Sequence, residues 1–455
     1  MNLLLITADQ FRHDCMGWTG TTPAQTPHLD SLARQGVRFT HAFAPLPVCS
    51  PARQALLTGR HPDSFGAQWN YDFIKTPPPD PDICWTTPLP DLGWNTGYIG
   101  RFHISEQQTS RDFGYQDFVP IAQRERELQQ QYPNVQWTGG WLGCTSPIPY
   151  QEAAPHWQAA QAKSLIDRYA REGKPWHLWV DFKEPHLPVR PSEPFASMFD
   201  PEKLMPWAGS DDDFYHKPYA HRQQTVSWQT EGFAWKDFAP MVARYLGLIA
   251  QLDDAIGNIL HALDQLGQRD DTMVVFTADH GDMCGSHRML DKHYVMYDDI
   301  IRVPLLVRKP GTQPHLSDAF VSNVLDVAAT FRADSVQERD PEGHGLPLPL
   351  AMEGNGRNDI VCSSNGQQFG LYTTRCLRDR THKYVWNLTD VDELYDLEHD
   401  PGELVNRIDD PDEAGRVATM RRTLLTRLAQ HNDPFVKSEW TKRQLISGHK
   451  HVPWQ

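Results

Sequence analysis

The chain alternates short apolar runs with segments of helical periodicity, and this alternation restricts it to few folds. Continuous apolar runs predict buried strands at residues 3–6, 97–100, 178–182, 273–277 and 304–307. Between them, helical patterns at residues 27–34 and 241–266 stop at Gly36 and Gly267. The order of these elements predicts an α/β fold in which helices flank a large, mostly parallel sheet.

The pattern changes near residue 358. Short runs broken by turn residues (360–362, 370–373, 383–386, 393–397) are followed by one charged helix at 415–430. They predict a small antiparallel sheet with a helix packed on it. A chain of 455 residues is long enough for more than one core. We therefore expect a larger α/β domain at 1–357 and a smaller α+β subdomain at 358–455.

Composition excludes several classes of protein. A formal net charge of −15, with both signs spread along the chain, disfavours a nucleic-acid partner. Seven scattered cysteines do not suggest a disulfide framework. The apolar start lacks the basic segment and cleavage site of a signal peptide, which predicts a cytoplasmic protein. No apolar run is long enough to predict a membrane span.

The strongest motif is Cys49-Ser50-Pro51-Ala52-Arg53, followed by Leu57-Thr58-Gly59-Arg60. Ser50 and Pro51 favour a helix start, which would place Cys49 at a helix N-terminus. That position favours negative charge, as an ionised nucleophile or a bound oxyanion requires. The pentapeptide alone is equally compatible with a free cysteine before a capped helix.

With its Leu-Thr-Gly-Arg continuation, the chain resembles the formylglycine-dependent sulfatases of the alkaline phosphatase superfamily, from Asn2 to about Asp400. The resemblance implies an alkaline-phosphatase-like fold and a hydrolase of sulfate esters. It implies that a maturation enzyme oxidises Cys49 to formylglycine, whose hydrate attacks sulfur and forms a covalent sulfo-enzyme intermediate. Cys49 is then the catalytic nucleophile.

Polar pairs follow two of the predicted strands. Asp9 and Gln10 come after the first strand, and Asp279 and His280 after the strand that ends at Thr277. The resemblance assigns them, with Cys49, to one divalent metal. Most members have Asp-Asp and Asp-Asn at these places, so Gln10 and His280 are departures. Oxygen ligands favour Ca²⁺ or Mg²⁺ and an imidazole also suits Mn²⁺; calcium ranks first.

The resemblance also assigns catalytic roles to five basic residues. Arg53 would orient the nucleophile. Arg101, which replaces the lysine of the family's Gly-Lys-Trp-His, and Lys292 would neutralise the sulfate oxygens. His103 would take the proton of the second hydroxyl, while His186 and Lys292 would protonate the leaving alcohol.

Several alternatives stay open. The Asp-Gln with Asp-His combination also resembles phosphonate monoester hydrolases of the superfamily, which predicts a phosphonate monoester or phosphodiester substrate. The family includes choline sulfatases, and a silent carbohydrate-binding protein would keep the fold without maturing Cys49. A zinc site is a further rival, built from ligand-like residues at His280, Cys284, His287 and His293. That site would leave Asp9, Gln10 and Cys49 without a role.

The expected substrate is a small sulfated sugar. Residues 205–238 are rich in aromatic and histidine side chains and have little periodicity, which predicts a functional insertion. Its aromatic faces could stack on a sugar ring, or they could pack the insertion onto the domain.

Overall fold

A computed structural model describes residues 1–73, 76–292, 294–352, 356–366 and 372–450. The strands are β1 (Asn2–Asp9), β2 (Val37–Phe43), β3 (Asn95–Gly100), β4 (Asp117–Pro120), β5 (Trp176–Pro185), β6 (Thr272–Ala278), β7 (Leu305–Arg308), β8 (His315–Ser322), β9 (Asp359–Gly366), β10 (Tyr372–Asp379), β11 (His382–Asn387) and β12 (Glu393–Asp396). The helices are α1 (Pro27–Gln35), α2 (Cys49–Thr58), α3 (Ile121–Gln131), α4 (Ala154–Glu172), α5 (Tyr219–Ser227), α6 (Trp235–Gln265), α7 (Asp298–Ile301), α8 (Leu325–Ser335), α9 (Leu348–Leu350), α10 (Ala414–Gln430) and α11 (Glu439–Ser447). Across those ranges, no helix has both the length and the apolar character that a bilayer crossing requires.

The larger sheet has eight strands in the order β4-β3-β5-β1-β6-β7-β2-β8. β1 pairs in parallel with both β5 and β6, so it lies in the middle of the sheet. In this sheet β7 runs antiparallel to its neighbours β6 and β2, while the other pairs are parallel. The prediction of a large, mostly parallel sheet is confirmed, and each of the five predicted strands is present.

Helices cover both faces of this sheet. Along β1, Leu4 and Ile6 point into the core that contains α1, α4 and α6, whereas Leu3 and Leu5 point into the core that contains α2 and α8. Successive side chains of a strand alternate between faces, so a strand covered on both sides has to be apolar throughout. This explains the continuous apolar runs of the sequence.

The smaller sheet is antiparallel, with the order β12-β11-β10-β9. One face of α10 covers it, because Val417, Met420, Leu424 and Leu428 recur at helical spacing and are buried against the strands. The predicted antiparallel sheet and helix are confirmed. Part of the predicted strand at 370–373 lies outside the described residues, and β10 begins at Tyr372.

Buried charged groups link the two sheets. Lys383 on β11 contacts Asp298 on α7 and Glu403, each at 2.7 Å. Arg375 on β10 contacts Asp63 at 3.5 Å, and Asp63 also accepts a hydrogen bond from Asn365. The division of the chain at residue 357 stays a prediction, and the two sheets share these ion pairs across it.

The aromatic insertion at 205–238 is attached by its own tryptophans. Trp207 donates a hydrogen bond from Nε1 to the carbonyl of Cys284, and Trp235 donates one to the carbonyl of Leu204. Both rings pack against the core that contains α6. These tryptophans therefore pack the insertion onto the domain, as the second of the two interpretations has it, and α6 begins at Trp235, six residues earlier than its periodicity predicts.

Candidate active site

Two neighbouring strand ends bring the predicted metal residues together. β1 ends at Asp9 and β6 at Ala278, and the pairing of Ala8 with Ala278 places Asp279 and His280 beside Asp9 and Gln10. Gln10 has a left-handed backbone with φ 66°, and its N–H donates to Asp279 Oδ1 at 3.2 Å. This turn directs the chain back across the end of β6.

Cys49 is the first residue of α2, as the motif predicts. Ser50 does not cap the helix, because its hydroxyl is buried without a hydrogen-bond partner. The Ser50 N–H instead donates to Asn70 Oδ1 at 3.0 Å. Capping by a distant loop residue is a tertiary contact, which the local sequence of the motif does not contain.

The side chains of Asp9, Cys49, Asp279 and His280 converge on one point. One ligand atom from each lies within 4.8 Å of the others, and all four residues are buried. His280 Nε2 is 3.3 Å from Cys49 Sγ and 3.6 Å from an oxygen of each carboxylate. Its Nδ1 lies 2.8 Å from the Gly281 carbonyl, so Nδ1 carries the proton in the neutral ring and Nε2 is left as a ligand atom.

Gln10 completes this cluster. Its Nε2 donates to Asp291 Oδ1 at 2.5 Å, while its Oε1 is buried without a hydrogen-bond partner. A buried amide oxygen without a donor is costly unless it binds something. With two carboxylates and an imidazole beside it, the donor set fits one divalent cation.

Arg53 lies among three buried carboxylates. Its guanidinium contacts Asp279 at 2.8 Å, Asp9 at 3.0 Å and Asp181 at 3.2 Å. Asp181 is held in turn by the hydroxyls of Thr7 and Tyr98. The guanidinium therefore neutralises part of the negative charge and fixes both metal-directed carboxylates from behind.

The charges of the cluster shift the pKa values of its members. Burial raises the pKa of the Cys49 thiol, but Lys292, His280 and hydrogen bonds from His103 and His186 lower it more, to well below its usual range. Burial and the charge of Asp9 raise the pKa of Asp279 to about 6. Burial lowers the pKa of His280, but Asp279 and Cys49 together outweigh burial and raise that pKa to about 9. The site thus favours an anion at position 49.

His186 and Lys292 lie next to each other on the other side of Cys49. Lys292 Nζ is 3.3 Å from His186 Nε2 and 3.3 Å from Asp291 Oδ1, and the lysine is 4% exposed. Burial lowers the pKa of Lys292, but the charges of Asp291 and Cys49 raise it by more. The net shift is upward, so the ammonium is retained. The pair provides a fixed positive charge and a proton-carrying ring.

Arg101 and His103 differ in depth. His103 is 1% exposed, and its Nε2 is 3.0 Å from Asp72 Oδ1. Arg101 is 43% exposed, and its Nη2 is 3.3 Å from Asp72 Oδ2. The structure places Arg101 at the mouth of the site and His103 inside it, so Arg101 lies farther out than its lysine counterpart is expected to lie.

Four polar residues of the site were not predicted from the sequence: Asn70, Asp72, Asp181 and Asp291. Asp181 had a usable signal, because it is a charged residue within the apolar run that forms β5, and buried carboxylates are rare unless paired. Asp72 and Asn70 lie in an irregular segment, where the sequence gives no indication of the partner.

The rival zinc site is not assembled among the residues that the structure describes. His287 Nδ1 is 2.5 Å from Asp212, and burial raises the pKa of the Cys284 thiol well above its usual range. Neither residue belongs to the group around His280. His293 lies outside the described residues.

Family models match most of the chain. A model described as Sulfatase matches residues 1–333, which is more than half of the sequence. A second model, described as N-sulphoglucosamine sulphohydrolase, C-terminal, matches residues 285–431. The two matches overlap, so together they cover both sheets.

Individual relatives align over nearly the full length. The chain is 28% identical to the Uncharacterized sulfatase YidJ of Escherichia coli (strain K12), covering 97% of this chain and 90% of that protein. It is 26% identical to the Arylsulfatase of Clostridium perfringens (strain 13 / Type A), covering 99% of each. Among solved structures, a phosphonate monoester hydrolase of Agrobacterium radiobacter aligns with a TM-score of 0.79 and 24% identity, covering 94% of this chain and 96% of that one. At that identity, the structural likeness shows a common fold.

Proposed function

The chain belongs to the sulfatase family, the sulfuric ester hydrolases of the alkaline phosphatase superfamily, and we propose that it hydrolyses the sulfate ester of a small carbohydrate through formylglycine at position 49. One observation carries this proposal: a buried cysteine at the start of a helix lies within 4.8 Å of the ligand atoms of Asp9, Asp279 and His280. A free core cysteine has no need of two carboxylates and an imidazole around it.

The family implies a divalent metal at this cluster. Asp9, Gln10, Asp279 and His280 would hold it together with the oxygens that replace the Cys49 sulfur, and Ca²⁺ is the first choice, with Mn²⁺ or Mg²⁺ as alternatives. A cation bound there favours the ionised form of a neighbouring hydroxyl and offsets charge on the sulfate.

A maturation enzyme oxidises Cys49 to an aldehyde. The aldehyde then adds water, and the resulting hydrate, with two hydroxyls on one carbon, is the nucleophile. Cys49 Sγ, which faces His280 Nε2 at 3.3 Å, marks where these oxygens lie. One hydroxyl attacks sulfur, and the S–O bond to the alcohol breaks. His186 and Lys292 are placed to protonate the departing alcohol, because both border Cys49 and contact each other.

Sulfate release follows without attack of water on sulfur. His103 takes the proton of the second hydroxyl, the carbon–oxygen bond to sulfate breaks, and the aldehyde forms again. As the ammonium, Lys292 offsets the negative charge of the sulfate oxygens. Arg101 at the mouth of the site would attract the sulfated substrate through its positive charge.

The sugar assignment rests on a polar cavity of the insertion. This cavity has a volume of about 580 Å³, and its lining includes Tyr219, Arg222, Arg288 and Asp390. Hydroxyl, carboxylate and guanidinium groups around an exposed tyrosine suit a polyhydroxylated ring. The second family model carries the name of an enzyme that acts on a sulfated glucosamine, and it matches residues 285–431.

The cavity is connected to the nucleophile by aromatic contacts. Tyr372 lies close enough to Tyr219 and Asp390 for their charges to act on its hydroxyl. Its ring is 5.2 Å from that of Tyr294. Tyr294 stacks on Trp69 at 5.3 Å, next to the Asn70 that binds the start of α2. The cavity and the start of α2 are therefore linked by packed aromatic rings.

A comparison of matched esters tests the reaction class. We expect kcat/KM for 4-nitrophenyl sulfate to exceed that for 4-nitrophenyl phenylphosphonate, measured with protein whose aldehyde content is known. The opposite preference would overturn the sulfatase proposal in favour of a phosphonate monoester hydrolase. That is the alternative that Gln10 and His280 indicate. Release of sulfate from sulfated monosaccharides, with choline sulfate as the competing substrate, then tests the carbohydrate assignment.

Removal of the metal should abolish turnover. After treatment with a chelator, we expect less than about 1% of the activity, and added metal should restore it.

The affinity for the metal should depend on pH. In the metal-free protein His280 has a pKa of about 9, so metal binding has to displace its proton. Between pH 7 and 9, metal affinity measured by calorimetry should therefore rise with pH, at most about tenfold per unit for one proton. A His280→Asn variant should still bind metal but lose this pH dependence, and an unchanged dependence would exclude His280 as the ligand.

A further inference from the structure

We propose that Asp72 is a positioning residue that orients His103 and, at the same time, holds Arg101 at the mouth of the site. This inference rests on the proposed function, because it concerns the histidine that takes the proton in the sulfate-releasing step. It adds a carboxylate to the catalytic arrangement that neither the motif nor the metal cluster contains.

The geometry of the carboxylate and the ring carries the inference. Asp72 Oδ1 is 3.0 Å from His103 Nε2, while His103 Nδ1 is fully buried. His103 is close enough to Cys49 to lower the pKa of its thiol, so the ring lies between the carboxylate and the nucleophile. With Nε2 directed at Asp72, Nδ1 is the nitrogen that remains for the reacting group.

A carboxylate at Nε2 decides which nitrogen carries the proton of the neutral ring. It accepts the Nε2–H, so the lone pair stays on Nδ1, where a hydroxyl proton has to be received. It also stabilises the imidazolium formed after proton transfer, as the buried aspartate does in a serine protease triad. The edge of the Tyr71 ring, 5.0 Å from the imidazole, restricts the ring from another side.

The second oxygen of the same carboxylate explains the position of Arg101. Asp72 Oδ2 is 3.3 Å from Arg101 Nη2, and both side chains are about 40% exposed, at 42% and 43%. An exposed ion pair contributes little to stability, so substrate sulfate can compete for the guanidinium. One carboxylate thus contacts the base on the inside and the anion-binding arginine on the outside.

A purely structural role accounts poorly for this residue. Asp72 is 42% exposed, and its side-chain contacts within the described ranges are those with His103 and Arg101. Loss of a partly exposed carboxylate of this kind has a small effect on folding. A large effect on one catalytic step would then point to the orientation of His103.

The test compares Asp72→Asn with Asp72→Glu and Glu106→Gln. Glu106 provides the matched control, since its charge also reaches Tyr71 but it forms no hydrogen bond with His103 among the described contacts. With mature enzyme and an aryl sulfate, we expect kcat of Asp72→Asn to fall about 10²- to 10⁴-fold and KM to fall with it, so that kcat/KM changes less than about threefold. The Glu variant should recover part of kcat, and the control should retain the parent values.

Rapid kinetics identify the step. Because His103 acts in sulfate release, Asp72→Asn should release a burst of one equivalent of phenol per aldehyde-bearing enzyme, followed by slow turnover. In a His103→Gln background, Asp72→Asn should have little further effect on kcat, because the two residues act as one unit. Additive losses of kcat, or a slow phase without a burst, would overturn the proposal.

A spectroscopic measurement separates this proposal from the proposed function. In a Cys49→Ala chain, which has no thiolate to accept a proton from Nδ1, ¹⁵N spectra of labelled histidine should show His103 with its proton on Nε2, and adding Asp72→Asn should change this tautomer ratio. That result stands even if the mature protein fails to hydrolyse sulfate esters. An unchanged tautomer in Asp72→Asn would contradict the positioning role even if the protein is a sulfatase.

Discussion

Replacing Cys49 with alanine is expected to abolish sulfate ester hydrolysis, with a fall in kcat/KM of about 10⁴- to 10⁶-fold, the range found when a covalent nucleophile is removed. The side chain is 1% exposed and lies among Asp9, Asp279 and His280, so no other nucleophile occupies its place. Initial rates with 4-nitrophenyl sulfate measure the loss, and circular dichroism verifies that the fold is retained.

Two further variants serve as controls for the Cys49→Ala variant. Cys144→Ala removes a thiol that lies outside the cluster and should leave the rate unchanged. Cys49→Ser keeps one hydroxyl but lacks the second hydroxyl that expels sulfate, so the unoxidised serine should be nearly as inactive as the alanine variant. Mass spectrometry of the peptide with residue 49 should detect the aldehyde or its hydrate in active protein. An unmodified thiol in fully active enzyme would contradict the mechanism.

Replacing Arg53 with methionine is expected to lower the free energy of unfolding of the metal-free protein by about 3–5 kcal/mol. The guanidinium is 3% exposed and contacts three carboxylates that are 1–4% exposed, so its loss leaves buried charges without compensation. The deficit should shrink in acid, because unpaired carboxylates take up protons when the pH falls. Urea denaturation at pH 5 and pH 8 measures both effects.

Arg60→Met is the matched control for this variant. Arg60 follows the same helix and pairs with Asp340 and Glu342, but it is 21% exposed, so its loss should cost less than about 1 kcal/mol. Equal unfolding midpoints for the two variants would show that the three carboxylates do not depend on Arg53. Activity of Arg53→Met should also fall, because Asp9 and Asp279 lose the group that fixes them.

The sequence predicts the centre of the fold and of the site because both depend on adjacent elements. Asp9 and Asp279 follow strands that are neighbours, and parallel strands end at the same edge of a sheet. Periodicity therefore placed both residues at strand ends, and the resemblance to the sulfatases assigned them to one site. β2 and β8, in contrast, lie at one side of the sheet and include partly buried or exposed polar residues, so the search for continuous apolar runs missed them.

The contacts around His103 could not be predicted in the same way. Asp72 reaches the imidazole from an irregular segment thirty-one residues earlier in the chain. No periodic pattern relates the two positions, and an exposed aspartate is common in any loop. The direction of β7 was likewise not indicated, because an apolar run of four residues is the same in either direction.

The ion pairs shared by the two sheets determine how far this protein is modular. A chain cut near residue 357 would lose Lys383 and Arg375, and so leave Asp298 and Asp63 on the larger domain without the cations they contact. Buried carboxylates without partners are expensive, so the remaining part would fold poorly even though its own sheet is complete. Exchange of the C-terminal region between relatives can succeed only where the donor carries basic residues at the positions of Lys383 and Arg375. The boundary that the strand pattern predicts is therefore one of topology, and a C-terminal region can be transplanted only together with these two cations.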